Sequence, residues 1–259
     1  MAWQATEPKS LTPLLNALAD VGRMAHFSVR VLVRGFAHLP DYRATLEESH
    51  RAGVQSFPVL LLVSGFIGSN MALQGYHAFK PLGGQSLVGM FVAVAGLREF
   101  APLIAATIIA AKTGTEMTTT IAIMRNTEQI DALEVMGVNP YWYLVTPRLL
   151  AITLTLPLLT LMADMMCFIA GYGVAIWQLQ VDPGGFIESA LSYIRLQDIF
   201  FSILKASTFG IIIALVACYF GFHAERGPLG VGRAANRAIV LMVVLCTFAN
   251  YLLSEVLYG

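Results

Sequence analysis

Five long apolar segments, separated by polar connections, constrain this chain more than any other feature. They cover about residues 54–79, 87–111, 149–177, 199–220 and 238–257. A helix needs about 20 predominantly apolar residues to cross the hydrocarbon core of a bilayer, and each segment meets that length. Charged residues make up 12% of the chain, about half the share found in soluble domains. The sequence therefore predicts an all-α polytopic membrane protein with five transmembrane helices.

The N-terminal region is too charged to form a span. Between residues 11 and 36, apolar side chains alternate with charged or titratable ones, namely Asp20, Arg23, His26, Arg30 and Arg34. This pattern is typical of a basic amphipathic helix that lies in the membrane interface. We therefore expect two regions, an N-terminal cytoplasmic or interfacial helical region over residues 1–53 and a five-span domain over residues 54–259.

Lys and Arg residues distinguish the two sides of the membrane. Twelve of them lie in the N-terminal region, between spans 2 and 3, or between spans 4 and 5, whereas Lys80 and Arg195 lie on the opposite side. Cytoplasmic loops carry an excess of Lys and Arg. The N-terminus is therefore expected in the cytoplasm, and five spans then place the C-terminus outside.

A short polar helix is predicted between spans 2 and 3, over about residues 126–137. Asn126 and Gln129 have the spacing of a capping box. At the other end, Gly137 suits the left-handed position that follows a last helical turn, and Pro140 prevents continuation. The predicted length is about ten residues, or about 15 Å.

This helix carries two stripes at helical spacing. The acidic stripe consists of Glu128, Asp131 and Glu134. The apolar stripe lies on about the opposite face and consists of Ile130, Leu133 and Met136. The apolar face can dock on membrane helices and the acidic face on a soluble partner. An ordinary solvated connector is the alternative interpretation.

Four ionisable residues fall inside the apolar segments: Arg98, Glu99, Asp164 and Lys205. A charge at that depth costs at least about 2.5–3.5 kcal/mol unless it is paired or hydrated, so each is a functional candidate. Pro102 lacks the backbone donor that would bond the carbonyl of Arg98, which predicts a kink and a free acceptor. Lys205 is closer to a span end and is expected to extend outward. A polar substrate cavity and an internal set of salt bridges both explain these charges.

Catalytic and nucleotide-binding motifs are absent from the sequence. No GxxxxGK[ST], HExxH, CxxC or GxSxG pattern occurs, so the usual phosphate cradle and the common hydrolytic sites are missing. Cys167, Cys218 and Cys246 lie in apolar runs without metal-ligand spacing. These absences favour a transporter, a channel or a scaffold over an enzyme.

Several segments together resemble the MlaE (YrbE) family of permease subunits from lipid ABC transporters. They are LREFAP at 97–102, TEQIDALEVMGVNP at 127–140, PR at 147–148, LQGY at 73–76 and GVGRAA at 230–235. The resemblance covers nearly everything after about residue 50. It departs from the family at Lys112, where Gly-Arg is more usual, and in the Thr-rich run 118–120.

The resemblance implies a function and a set of partners. Members form homodimers in the bacterial inner membrane, dock a cytoplasmic ATPase through a coupling helix, and exchange phospholipid with a periplasmic MCE-domain protein, which maintains outer-membrane lipid asymmetry. The coupling helix would be the acidic one, with Glu128, Asp131 and Glu134 at the ATPase contact. The lipid cavity would involve Arg98, Glu99, Gln74 and Tyr76. This chain would bind no cofactor, and ATP and Mg would be used by the ATPase.

Two other functions remain open at the level of the sequence. One is a proton-coupled secondary transporter of hydrophobic solutes, in which Glu99 and Asp164 carry protons. The other is a membrane scaffold that anchors partners and transports nothing. Copurification of an ATPase argues against the first, and lipid bound to the purified dimer argues against the second.

Overall fold

The computed structural model of the chain describes residues 22–31, 33 and 42–258. Its regular structure in those residues is helical throughout. The helices are α1 (22–31), α2 (Tyr42–Phe79), α3 (Val88–Ala95), α4 (Ala101–Ile109), α5 (Thr115–Asn126), α6 (Gln129–Val135), α7 (Thr146–Trp177), α8 (Pro183–Tyr193), α9 (Leu196–Phe222) and α10 (Pro228–Tyr258). Wider π-helical turns at Gly96–Phe100 and Ala110–Gly114 join α3, α4 and α5, and a third at Tyr141–Val145 leads into α7.

Five continuous helical segments of the described chain are long and apolar enough to cross a membrane. They are span 1 (Tyr42–Leu82), span 2 (Gln85–Asn126), span 3 (Tyr141–Trp177), span 4 (Leu196–Phe222) and span 5 (Pro228–Tyr258). The predicted all-α polytopic fold is thereby confirmed. The short helix expected between spans 3 and 4 is also present as α8, whose N-terminus is capped by the Asp182 carboxylate at 2.6 Å from the amide of Gly185.

Span 1 begins earlier than its apolar sequence predicts. The helix α2 has 38 residues and runs through residues 53 and 54 without a break, so it is about 57 Å long. The hydrocarbon core is only about 30 Å thick. The polar first turns of α2 are therefore an extension of the membrane helix.

Span 2 also continues beyond the predicted end near residue 111. Its last part, α5, reaches Asn126 through the Thr-rich run that we expected to be a polar connection. The hydroxyls of Thr118 and Thr120 donate to helix carbonyls four residues earlier, at 2.9 and 2.8 Å. Thr118 also donates to the carbonyl of Ala217 on span 4 at 3.2 Å. Because these hydroxyls are bonded to helix carbonyls, the Thr-rich run does not end the helix.

The prediction for residues 221–236, a long Gly- and Arg-rich loop, is wrong in extent. Helix α10 already begins at Pro228, which leaves a short connection after α9 ends at Phe222. Proline is favoured in the first helical turn, since its missing N–H would have no partner there. Arg233 of α10 pairs with Glu225, which lies in that connection, at 3.1 Å. The pair links the first turns of α10 to the connection.

Helix α1 packs against the ends of spans 3 and 4. Phe27 and Val31 are buried, and the Phe27 ring lies 5.7 Å from the rings of Tyr141 and Tyr219. Arg23 and Arg30 are exposed. Residues 22–31 are helical, as predicted; the rest of the predicted helix lies outside the described residues, and its amphipathic position in a membrane interface stays a prediction.

Span 3 packs between spans 1 and 4 at glycine contacts. A Cβ at Gly68 of span 1 would overlap the carbonyl oxygen of Cys167, and one at Gly210 of span 4 would lie 2.9 Å from Thr153 Cα. Small residues allow membrane helices to approach at this distance. Span 5 is less enclosed, because 17% of its most apolar segment is buried, against 39–44% in the other spans.

Candidate functional site

An irregular turn in span 2 presents Arg98 and Glu99 to the other helices. The π-helical turn Gly96–Phe100 ends two residues before Pro102, and such turns are frequent at functional sites. The Arg98 carbonyl, which Pro102 cannot bond, accepts a hydrogen bond from Lys205 Nζ at 2.8 Å. The free acceptor predicted from Pro102 therefore exists and is used by span 4.

Lys205 is turned into the bundle. Its side chain is 0% exposed, so the expectation that it extends outward is wrong. The ammonium finds three oxygen partners inside the protein, the Arg98 carbonyl, Glu99 Oε1 at 3.2 Å and Ser254 Oγ at 2.6 Å. With these partners available, burial is compatible with the charge.

Glu99 is held by spans 4 and 5 together. Besides the Lys205 contact, its Oε2 accepts from Asn250 Nδ2 at 2.7 Å and its Oε1 from Ser254 Oγ at 2.6 Å. The Glu99 side chain remains 40% exposed on the described chain. It is thus fixed in orientation while part of its side chain stays exposed.

Arg98 points to a different partner. Its Nε lies 2.9 Å from Asp198 Oδ1, and Asp198 Oδ2 also accepts from the backbone amide of Arg195 at 2.9 Å, at the start of α9. The ring of Tyr258, at the end of span 5, lies 4.8 Å from the Arg98 guanidinium and 5.0 Å from Lys205 Nζ. Arg98 and Glu99, which are about 100° apart around the helix, thus reach separate partners.

These contacts form one polar cluster that joins spans 2, 4 and 5. Its members are Arg98, Glu99, Asp198, Lys205, Asn250, Ser254 and Tyr258. Two acids balance two cations, so the cluster adds no net charge to the membrane interior. Lys205 and Asp198 are buried, whereas Arg98 and Glu99 are partly exposed. The arrangement can stabilise helix packing and still present charged groups at its edge.

Gln74 and Tyr76 lie outside the polar cluster. Gln74 is exposed on span 1 and donates to Asn70 Oδ1 at 3.3 Å. Tyr76 is half-buried beside Lys80, whose Nζ lies 5.2 Å from its ring centre. Within one copy of the chain, only Arg98 and Glu99 of the four proposed cavity residues come together. A shared cavity with Gln74 and Tyr76 stays a prediction.

Asp164 on span 3 lies next to the cluster without belonging to it. Its Oδ2 accepts a hydrogen bond from Ser202 Oγ at 3.4 Å, and Ser202 is one turn after Asp198 on α9. Asp164 lies in span 3 and Lys205 in span 4, as predicted; their depth in a membrane stays a prediction.

The start of α6 differs from the predicted capping box. Asn126 is the last residue of α5, and its Oδ1 accepts from the amide of Gly227 in the span 4–5 connection at 3.2 Å. Helix α6 starts instead after Glu128, whose φ of 59° is a left-handed conformation that costs a residue with a Cβ about 1–2 kcal/mol. The capping prediction fails because α5 continues through Asn126, so its side chain is not at a helix start.

The end of α6 is as predicted. Gly137 adopts φ 77°, and the amide of Val138 donates to the carbonyl of Leu133 at 2.9 Å. The Gly137 amide donates to the Glu134 carbonyl at 3.0 Å. These two bonds are the Schellman arrangement that a glycine at this position favours.

The two stripes of α6 are only partly separated in the fold. Ile130 is buried and Leu133 packs on the main core, but Met136 is 67% exposed. Among the acids, Glu134 is exposed, Glu128 is exposed and lies 4.0 Å from the Arg226 guanidinium, and Asp131 pairs with Arg125 at 2.6 Å. Val135 is 89% exposed beside them. We name the exposed set Glu128, Glu134, Val135 and Met136 the α6 tip; its surface is mixed acidic and apolar.

Sequence reasoning missed several members of the polar cluster. Asp198 and Tyr258 each lie one residue outside the predicted bounds of spans 4 and 5. Asn250 could have been predicted from the sequence, because an amide inside an apolar span usually bonds across a helix contact. Ser254 had no comparable signal, since serine hydroxyls commonly bond their own helix, as this one does to Asn250 at 2.8 Å.

Comparison with known proteins gives consistent matches over most of the chain. The family profile described as Permease MlaE matches residues 45–256. A "Probable ABC transporter permease protein" of Rickettsia typhi is 35% identical over 206 residues, which is 80% of each chain. A protein of the same description from Synechocystis is 31% identical over 83% of this chain and 82% of its own. The chloroplastic "Protein TRIGALACTOSYLDIACYLGLYCEROL 1" of Arabidopsis thaliana is 32% identical over 86% of this chain and 63% of its own.

Proposed function

The chain belongs to the MlaE permease family, and from that premise we propose that it moves phospholipid between the bacterial inner membrane and a periplasmic MCE-domain carrier. It is a multi-pass permease subunit of an ABC transporter. The name of the Arabidopsis relative includes the name of a glycerolipid. This supports a lipid as the transported molecule. The N-terminus and α6 would lie in the cytoplasm and the C-terminus in the periplasm.

The observation that carries the proposal is the partly exposed Glu99 at the edge of the polar cluster. A phospholipid needs apolar walls for its chains and a few fixed polar groups near its head group. Glu99 is anchored by Asn250 of span 5, and Phe100, the next residue of span 2, is exposed. A partly exposed charge and an exposed apolar side chain thus adjoin each other in span 2.

A second copy of the chain would complete the cavity. Span 5 is the least buried span, and its exposed large side chains are Val240, Val244, Phe248, Tyr251, Leu252 and Val256. We propose that a homodimer forms across this face. Gln74 of either copy would then line the cavity between the two copies. One copy alone does not form that cavity.

The α6 tip is the proposed contact for a cytoplasmic ATPase. Its exposed Val135 and Met136 offer an apolar contact, and Glu128 and Glu134 offer charges to a basic groove. Asn126 links the start of this segment to the span 4–5 connection through Gly227. Movement of the tip would thereby reach spans 4 and 5, which carry most of the polar cluster. ATP and Mg would be bound by the ATPase.

Reconstitution in proteoliposomes tests the proposal. We expect transfer of labelled phospholipid to an MCE-domain acceptor that requires ATP and the ATPase subunit, together with phospholipid in extracts of the purified complex. Transfer driven by a pH gradient without ATP would favour the secondary transporter. Absence of both bound lipid and transfer would favour the scaffold.

A further inference from the structure

A pocket lies beside Asp164 in the membrane-spanning part of the helix bundle. It is formed between spans 2 and 3 and the start of span 4, has a volume of about 210 Å³, and has apolar walls that include Val92, Leu97, Phe168 and Ile199. Gly96 of the π-helical turn also lines it. The pocket is therefore made partly by the same irregularity that turns Glu99 toward span 5.

Asp164 provides the one carboxylate among the residues that line this pocket. Its Oδ2 accepts from Ser202 Oγ, but its Oδ1 is buried and has no hydrogen-bond partner in the part of the chain that the structure describes. Glu99, by comparison, has partners on both carboxylate oxygens. A buried acceptor without a donor is costly, so Asp164, at the wall of the pocket, has an unmet requirement for one hydrogen-bond donor.

The size and position of the pocket restrict its occupant. Asp164 is 13 residues from the end of span 3 at Trp177, or about 20 Å along the helix. Met165 and Ile199, which flank the pocket, are exposed on the outer surface of the bundle, so entry is from the bilayer. A volume of 210 Å³ is below the roughly 300–1,000 Å³ of pockets that enclose drug-sized ligands. It can hold part of one chain and cannot hold a two-chain lipid.

We propose that this pocket binds a single-chain membrane amphiphile whose hydroxyl group donates a hydrogen bond to Asp164 Oδ1. The chain of the ligand packs against Val92, Phe168 and Ile199, and the hydroxyl supplies the donor that the protein lacks. The site is separate from the edge of the polar cluster where phospholipid is proposed to bind. It does not depend on the proposed transport function.

Two probes with the same chain test the proposal, 1-oleoylglycerol, which has hydroxyl donors, and methyl oleate, which has none. Each is added to the purified full-length protein in detergent, and the retained probe is measured by native mass spectrometry. We expect retention of 1-oleoylglycerol to exceed that of methyl oleate by about fivefold, which is within the range of a single ordinary hydrogen bond. Equal retention of the two probes overturns the proposal, and so does retention of neither.

Substitutions test whether the preference for 1-oleoylglycerol depends on Asp164. Asp164→Leu should abolish the preference for the hydroxyl probe, whereas Asp164→Asn keeps an acceptor oxygen and should keep part of it. Ala93→Phe places a ring in the pocket and should reduce retention of both probes. Glu255→Leu is the matched control, because it removes an exposed carboxylate from span 5 and should leave the preference unchanged.

Two results from these variants contradict the proposal. One is a hydroxyl preference that survives in Asp164→Leu at the wild-type level. If that variant does not fold, the decision rests on Ala93→Phe, where unchanged retention of both probes places the binding elsewhere. Thermal unfolding of each variant, followed by circular dichroism, shows whether a loss of retention comes from loss of the fold.

Discussion

Lys205 Nζ donates to the carbonyl oxygen of Arg98 at 2.8 Å, where Pro102 leaves an acceptor without its backbone donor. The same ammonium lies 3.2 Å from Glu99 Oε1. One cation on span 4 thus satisfies the irregular backbone of span 2 and neutralises the acid beside it. The irregular turn and the charge pair therefore depend on each other.

Replacement of Lys205 by Met should destabilise the protein strongly. The Glu99 carboxylate would keep only neutral donors from Asn250 and Ser254, and the Arg98 carbonyl would lose its donor. Breaking a buried ion pair from one side costs about 3–5 kcal/mol, and because Glu99 is 40% exposed we expect a loss at the lower end of that range. The measurement is thermal unfolding of the purified protein by circular dichroism. The double variant Lys205→Met/Glu99→Gln should recover part of the loss, and a single variant as stable as wild type would contradict the assignment.

Charge at Glu99 should matter for transport as well as for packing. Glu99→Gln keeps the size and most hydrogen bonds of the side chain, so we expect normal assembly and a partial loss of lipid transfer. Glu99→Lys places a second cation beside Lys205 and should lose most transfer. Transfer in proteoliposomes is measured beside thermal stability. Early melting of Glu99→Lys without loss of transfer per folded complex would show that the charge serves packing alone.

The α6 tip should control association with the ATPase. Glu134→Lys and Val135→Asp each change an exposed side chain, so the permease should fold normally while copurification of the ATPase falls. Asp131→Lys is expected to act differently, because Asp131 is already paired with Arg125 at 2.6 Å and its change disturbs α6 itself. Glu188→Lys on α8, at the other end of the bundle, is the control. Wild-type ATPase recovery with the double variant Glu134→Lys/Val135→Asp would exclude this contact.

The glycine contact between spans 1 and 3 should tolerate no side chain. An added Cβ at Gly68 would overlap the Cys167 carbonyl, so Gly68→Ala should cost about 1–3 kcal/mol through forced helix separation. Gly232 in α10 has open space around it, and Gly232→Ala should be neutral or stabilising by up to about 1 kcal/mol because alanine favours helix. Unfolding temperatures of the two variants are the comparison. Equal effects would mean that the tight contact between the spans does not form.

Much of the fold was predictable because it depends on local patterns. The number of spans follows from apolar length, the end of α6 from Gly137, and the free acceptor at Arg98 from Pro102. Each of these rests on residues within a few positions of one another. Helix ends in spans 1, 2 and 5 were predicted less well. Hydropathy shows where an apolar segment ends. A helix continues beyond that point as long as its backbone N–H and C=O groups keep their hydrogen bonds.

By itself, the sequence determined an all-α membrane protein with five spans, a polar helix between spans 2 and 3, and four ionisable residues at depth. Only the tertiary structure decided how those residues pair: Glu99 with Lys205, Asn250 and Ser254, and Arg98 with Asp198. The partners lie about 100 or more positions apart in the chain. Helical periodicity shows which way a side chain points from its own axis, but the packing of spans 2, 4 and 5 determines what it meets.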